Sequence, residues 1–200
     1  MNQQMKSRKA GALYTILTAV LIFGVVLGIA GVASKYSKAF GDGGTLQVAA
    51  KVHPENLDTL ELPSGLEAAQ PIPVIVNVQD PSALQLTLST IVELIPWIIG
   101  IWALLILRAI VGSIKNGDPF GNANVGRLRK LGMILLAFPL VAMLLSFLVG
   151  GILDSTPNAG LLNNSFSLDL APVAAGLGVL VLAEVFAHGV RLREDIEGTV

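Results

Sequence analysis

Two carboxylates stand inside long apolar blocks of this chain, and they pose the first chemical question. Glu93 lies within Leu84–Leu107, and Glu184 lies within Leu170–Val190 together with His188. An ionisable group at membrane depth is costly, so it turns toward a cavity, a partner or a pathway. Glu93 sits three residues before Pro96 and beside Trp97. It would serve either as a proton or cation site, or as a protonated or hydrogen-bonded residue that faces the bundle interior and locks helix packing. The second reading is favoured. Glu184 has His188 one helical turn later and Arg191 two turns later on a similar face, and Arg108 within reach by depth. A structural salt bridge is favoured there over a titrating Glu and His pair. At 1.5 Å rise per residue the two acids lie roughly 10 Å or more apart along the membrane normal, which argues against a shared acid and base.

Other chemistry is thin. His53 has only Glu55 and Asp58 nearby, a poor metal set. Cysteine is absent, which removes disulfide staples, thiolate nucleophiles and thiol redox sensing. The chain carries no phosphate-cradling Gly-Lys-Ser/Thr run, dinucleotide fingerprint, nucleophile elbow or paired His and Glu zinc helix. It therefore reads as non-enzymatic, with no cofactor and no metal.

The elements that must position these residues follow from composition. Across 200 residues, 53% are hydrophobic and only 14% charged, and the mean hydropathy is +0.71. This is a membrane composition. Four apolar blocks reach the roughly 20 residues that a helix needs to cross the bilayer core: Ala10–Ala33, Leu84–Leu107, Leu131–Leu153 and Leu170–Val190. The first is longer than the 7–15 apolar residues typical of a secretory signal, so it reads as an uncleaved anchor. With the N-terminus inside, Lys6, Arg8, Lys9, Arg108, Lys115, Arg127, Arg129, Lys130, Arg191 and Arg193 are all cytoplasmic, whereas Lys35, Lys38 and Lys51 lie outside. That bias predicts both termini on the cytoplasmic side of the membrane. The expected fold is an all-α transmembrane four-helix bundle in one domain, residues 1–200.

A single large extracytoplasmic segment, 34–82, separates the first two spans. It is too small to stand alone and should lean on the helices or on a partner. Thr45–Val52 is β-prone, and Val74, Val76 and Val78 alternate with Ile75 and Asn77 at the period of a half-buried strand. A small sheet of two or three strands is expected there, with turns at Gly41-Asp42-Gly43-Gly44, Pro63-Ser64-Gly65 and Asp80-Pro81. The second outer loop runs from Asp154 to Asp169, with Pro172 near the first turn of the fourth span.

The cytoplasmic loop, 112–130, and the cytoplasmic tail, 191–200, carry most of the remaining pattern. Asn116-Gly117-Asp118-Pro119 is a turn. After it, Asn122 or Asn124 can cap a short interfacial helix with Val125, Leu128 and Leu131 on its apolar side and Arg127, Arg129 and Lys130 on its wet side. Phe120 would anchor it to the headgroup boundary or to the bundle end. In the tail, Arg191 with Asp195 and Arg193 with Glu197 fall at helical i,i+4 spacing in the weaker basic-before-acidic order. Acids at a helix C-terminus also oppose the macrodipole. Glu194, Asp195 and Glu197 are therefore expected to answer Arg127, Arg129 and Lys130 or a basic partner, and loop and tail to share one partner-binding surface. Gly24 with Gly28, and Gly176 with Ala183, offer small faces for close helix contact.

The motifs at the loop and tail resemble a bacterial four-span membrane family of unknown function, DUF2975. The resemblance spans the second to fourth apolar blocks. It rests on Asp118, Pro119, Phe120, Asn124, Leu128 and Arg129, and on Glu194, Glu197, Gly198 and Thr199. It implies a four-span layout. Genes of the family often lie beside those of small Cro-type helix-turn-helix proteins, which implies a regulatory pairing. The leading expectation is thus a regulatory or sensory membrane protein whose cytoplasmic face binds such a regulator, without direct nucleic-acid binding. The alternative is a small transporter, or an accessory subunit of a larger membrane complex, using Glu93 as its polar site.

Overall fold

The computed structural model describes residues 2–41, 44–52, 72–153 and 169–197. In chain order the elements are helix α1 (Asn2–Phe40), strands β1 (Thr45–Val52) and β2 (Ile72–Gln79), and helices α2 (Ala83–Lys115), α3 (Asn122–Leu153) and α4 (Ala171–Glu197). The class is the expected one, all-α with four long apolar helices and a small sheet between the first two. The helices hold 39, 33, 32 and 27 residues. At 1.5 Å per residue that is about 40–58 Å, more than the ~30 Å hydrocarbon core, so helical ends project beyond it. Each contains a candidate span. Phe23, Ile29, Leu140, Phe147 and Val181 are all more than 60% exposed. Water does not tolerate apolar surface on that scale, whereas acyl chains do, and helices satisfy their own backbone groups in lipid. The chain is a multi-pass membrane protein.

Two helices run past their apolar blocks. Helix α1 continues through Lys35 and Lys38 to Phe40. The separate interfacial helix expected before the third span is not formed, since residues from Asn122 onward are the first turns of α3. The reason is common to both. A change from apolar to charged side chains leaves the hydrogen-bonding ladder intact, and Lys and Arg are good helix formers.

The helix ends are specified locally. At the end of α2 the Gly117 N–H donates to the Ile114 carbonyl at 3.2 Å and the Asp118 N–H to the Ser113 carbonyl at 3.0 Å. Gly117 is left-handed, with φ 86°. This is a Schellman motif, and it explains why glycine follows Asn116. At the start of α2, Ser82 and Gln85 form a capping box: the Gln85 N–H donates to Ser82 Oγ at 3.2 Å, and the Ser82 N–H to Gln85 Oε1 at 2.8 Å. Asp169 Oδ1 accepts the Ala171 N–H at 2.9 Å and opens α4.

The chain forms two compact units. One, the sheet unit, comprises Gly28–Pro96 and Leu140–Leu168. In it β1 and β2 pair antiparallel, with Leu46 opposite Val78, Val48 opposite Val76 and Ala50 opposite Val74. The period-two pattern sends Leu46, Val48 and Val78 into a core shared with Ala39, Leu86, Ile152 and Leu153. The hairpin is thus closed by helix residues, as its small size requires. Asp80, left-handed at φ 48°, turns the chain from β2 toward α2, and its N–H donates to the Gly44 carbonyl at 2.8 Å.

The other, the tail unit, comprises Met1–Leu27, Trp97–Pro139 and Asp169–Val200. Here α3 and α4 approach closely. A Cβ on Gly176 would stand 2.9 Å from the Gly132 carbonyl oxygen, and a Cβ on Gly132 would stand 2.7 Å from Leu180 Cδ2. Gly176 and the fully buried Ala183 are the small faces expected from α4. Gly132, their counterpart on α3, was not singled out by the sequence pattern.

Candidate functional site

Glu93 belongs to the sheet unit, where it is half-buried and in direct contact with Lys35 of α1. Lys35 Nζ also donates to the Ser89 carbonyl at 3.1 Å. The carboxylate lies against Gly31, where an added Cβ would come within 3.0 Å of Glu93 Oε1. A polar cavity of about 180 Å³ adjoins the pair, lined by Lys38, Thr45 and Gln47 as well. Glu93 is therefore held by a cation on a neighbouring helix. That cation was assigned to the outer segment from sequence, and a sharper signal existed. A carboxylate inside a span requires a counter-charge at its own depth, and Lys35 is the first cation after the opening apolar block.

Glu184 lies in the tail unit and forms a salt bridge, though not with the partners that sequence spacing favoured. Arg129 of α3 reaches it with two nitrogens, Nη2 at 2.8 Å and Nε at 3.2 Å from Glu184 Oε1. His188 and Arg191 are exposed on the same helix. Arg108 is occupied elsewhere. Its Nε donates to Thr18 Oγ1 at 3.0 Å, and its guanidinium lies 4.5 Å from the centroid of the Tyr14 ring. Spacing along one helix lost to a neighbouring helix that presents a planar, fork-shaped donor to the carboxylate.

Between α2 and α3 the loop is organised by Asn124. It is 1% exposed, and its Nδ2 donates to Ser113 Oγ and to the carbonyls of Pro119 at 3.0 Å and Asp118 at 3.4 Å. Its Oδ1 accepts from Arg127 Nη1 at 2.7 Å, and the same nitrogen donates to the Ala109 carbonyl at 3.2 Å. The side chain expected as a helix cap is instead a clasp on the loop's own carbonyls. Arg127 is correspondingly drawn inward and half-buried, a correction to its expected place on the wet side.

Loop and tail meet within this unit. Arg193 lies 3.6 Å from Asp118, Asn122 Nδ2 donates to Glu194 Oε1 at 3.5 Å, and the Phe120 and Phe186 rings pack with centroids 5.3 Å apart. Phe120 thus anchors to a helix of the protein. Among the described residues a tail cation thus meets a loop acid, while Arg127 and Arg129, two of the loop cations expected to answer the tail acids, serve other acceptors. Lys130, Arg191, Glu194 and Asp195 are exposed. The side chain of Glu197, together with Gly198 and Thr199, lies outside the described residues, as does His53.

Among the described residues no group of three or more His, Cys, Asp or Glu side chains is arranged to hold a metal ion. What the arrangement offers among the described residues is ion pairs at Glu93 and Glu184, a loop clasped by one asparagine, and a charged, aromatic end surface with a third ion pair between Asp118 and Arg193. Neither a curated protein nor a solved structure matches the chain. Residues 45–200, from the first strand through the tail, match the family described as protein of unknown function (DUF2975), and the chain belongs to that family.

Proposed function

We propose that this is a non-enzymatic regulatory or sensory protein of the bacterial cell membrane, with both termini in the cytoplasm, whose loop and tail surface captures a small soluble regulator of the helix-turn-helix type. The single observation that carries the reading is the joining of Asp118 to Arg193 and of Phe120 to Phe186, which makes one surface of two segments distant in sequence. Both segments carry residues on which the resemblance to the family rests. Exposed ion pairs are each worth only about 0–1 kcal/mol, so such a surface is poorly explained as a stabilising device. The ten-to-three division of Lys and Arg supports the cytoplasmic placement.

A capture experiment in mild detergent with mass spectrometry tests the reading. Wild-type protein should retain a small helix-turn-helix protein, and a chain ending after Leu192 should release it while the membrane helices stay folded. Equal retention by the truncated chain removes the surface from the mechanism. Retention of integral membrane subunits instead would support the second reading, an accessory subunit or small transporter, which the polar cavity beside Lys35 and Glu93 favours.

A further inference from the structure

A second polar site in the tail unit has a chemistry that neither the family match nor the partner surface accounts for. A cavity of about 280 Å³ is lined by Tyr14 of α1, by Leu105, Arg108, Gly112 and their neighbours on α2, and by Arg127 of α3. Lys115 joins them, with Nζ 5.5 Å from the Tyr14 ring centroid. Two cations, Arg108 and Arg127, therefore line one space, and a third, Lys115, stands beside its tyrosine. None of them makes an ion pair among the described residues, unlike Lys35, Arg129 and Arg193. Arg108 spends Nε on Thr18 and Arg127 spends Nη1 on Ala109 and Asn124, which leaves further guanidinium N–H groups of both without a protein acceptor among the described residues.

Like charges held together without a counter-ion repel one another, so the arrangement calls for an anion. Guanidinium groups present the forked donors that suit phosphate oxygens. The walls decide the source. Leu105, Arg108 and Gly112 follow one face of α2 at helical spacing and Asn116 stands just past its end, so the lining passes from an exposed leucine at the apolar end to polar groups at the helix terminus. Tyr14 adds an amphipathic ring of the kind that settles at a membrane interface. A site apolar at one end and cationic at the other matches a phospholipid, acyl chain below and phosphate above. From this geometry we infer that the pocket between Tyr14, Arg108 and Arg127, with Lys115 beside its tyrosine, binds the phosphate headgroup of an anionic phospholipid from the adjacent leaflet.

The test is native mass spectrometry of the full chain in mild detergent, titrated with phosphatidylglycerol or with phosphatidylcholine, with inorganic phosphate as a competitor. Phosphatidylglycerol should be retained well above phosphatidylcholine, and millimolar phosphate should not displace it. One juxtamembrane cation is worth about a fivefold change in attraction to an anionic lipid. Arg108→Gln with Lys115→Gln should therefore lower phosphatidylglycerol retention roughly 25-fold and leave phosphatidylcholine unchanged. Lys115→Gln alone, at an exposed helix end, should lower it about fivefold and serves if the double variant does not fold. Equal retention of the two lipids by wild type, or unchanged phosphatidylglycerol retention in Lys115→Gln, overturns the proposal. Displacement by inorganic phosphate also overturns it, in favour of a soluble phosphate ligand.

Discussion

Removing Lys35 while leaving Glu93 in place is the sharpest perturbation available. Two unit charges 4 Å apart attract by about 4 kcal/mol at an effective dielectric of 20, and the desolvation of both ions offsets much of that. Breaking a fully buried pair by deleting one partner costs about 3–5 kcal/mol, chiefly because the other charge is left uncompensated. The side chains here are 13% and 29% exposed, so the expected cost of Lys35→Met is lower, about 2–3 kcal/mol. Glu93→Gln should cost less, about 1–2 kcal/mol, because the Lys35 charge loses its counter-charge but the amide oxygen still accepts from it and Nζ keeps the Ser89 carbonyl. Replacing both partners with apolar residues of similar size, Lys35→Met with Glu93→Leu, should return stability to within about 1 kcal/mol of wild type. The assay is a double-mutant cycle on Lys35→Met and Glu93→Leu, each alone and together, by SDS-induced unfolding in mixed micelles followed by tryptophan fluorescence and circular dichroism. A coupling of about 2 kcal/mol is expected. Additive losses would refute the reasoning, since they would mean that the two side chains act independently and that Glu93 has another role.

Three further outcomes follow from particular contacts. Asn124→Ala should destabilise by about 2–3 kcal/mol in the same unfolding assay, because it strips donors from the Asp118 and Pro119 carbonyls and an acceptor from Arg127; a loss below 0.5 kcal/mol, the size of an ordinary surface change, would show the clasp to be idle. Gly132→Val should destabilise by about 1–3 kcal/mol through overpacking against Leu180 and the Gly176 carbonyl. Gly100→Ala, where an added Cβ meets nothing within 4 Å, is its control and should be neutral or stabilising. Reporter fusions placed after Gly65 and after Val200 should report opposite sides of the membrane, and agreement between them would refute the orientation drawn from the Lys and Arg distribution.

Much of the fold was legible in one dimension because its causes are local or are set by the solvent. Four apolar blocks of spanning length determine four membrane helices, since only internally hydrogen-bonded segments cross lipid. Alternation at Val74, Val76 and Val78 determined a strand, and Asn116-Gly117 determined where α2 stops, because a left-handed residue is needed there. The extents of the helices were less legible. Polarity marks where a helix leaves the apolar phase, and the hydrogen-bonding ladder of α1 and α3 runs on past that point.

The partners of the charged groups were decided by tertiary structure alone. Glu93 and Glu184 were identifiable as residues needing a counter-charge, yet spacing along one chain says nothing about which neighbouring helix supplies it. Lys35 and Arg129 do so because α1 and α3 present them at the right height. Asn124 illustrates the same limit in the loop: its type and position suggested a helix cap, and the fold of the loop around it turned its donors onto the Asp118 and Pro119 carbonyls. The cationic pocket around Tyr14 has no signature in the sequence at all, since Arg108, Lys115 and Arg127 converge there only when three helices pack, and that packing depends on apolar contacts that any similar set of leucines and valines would satisfy.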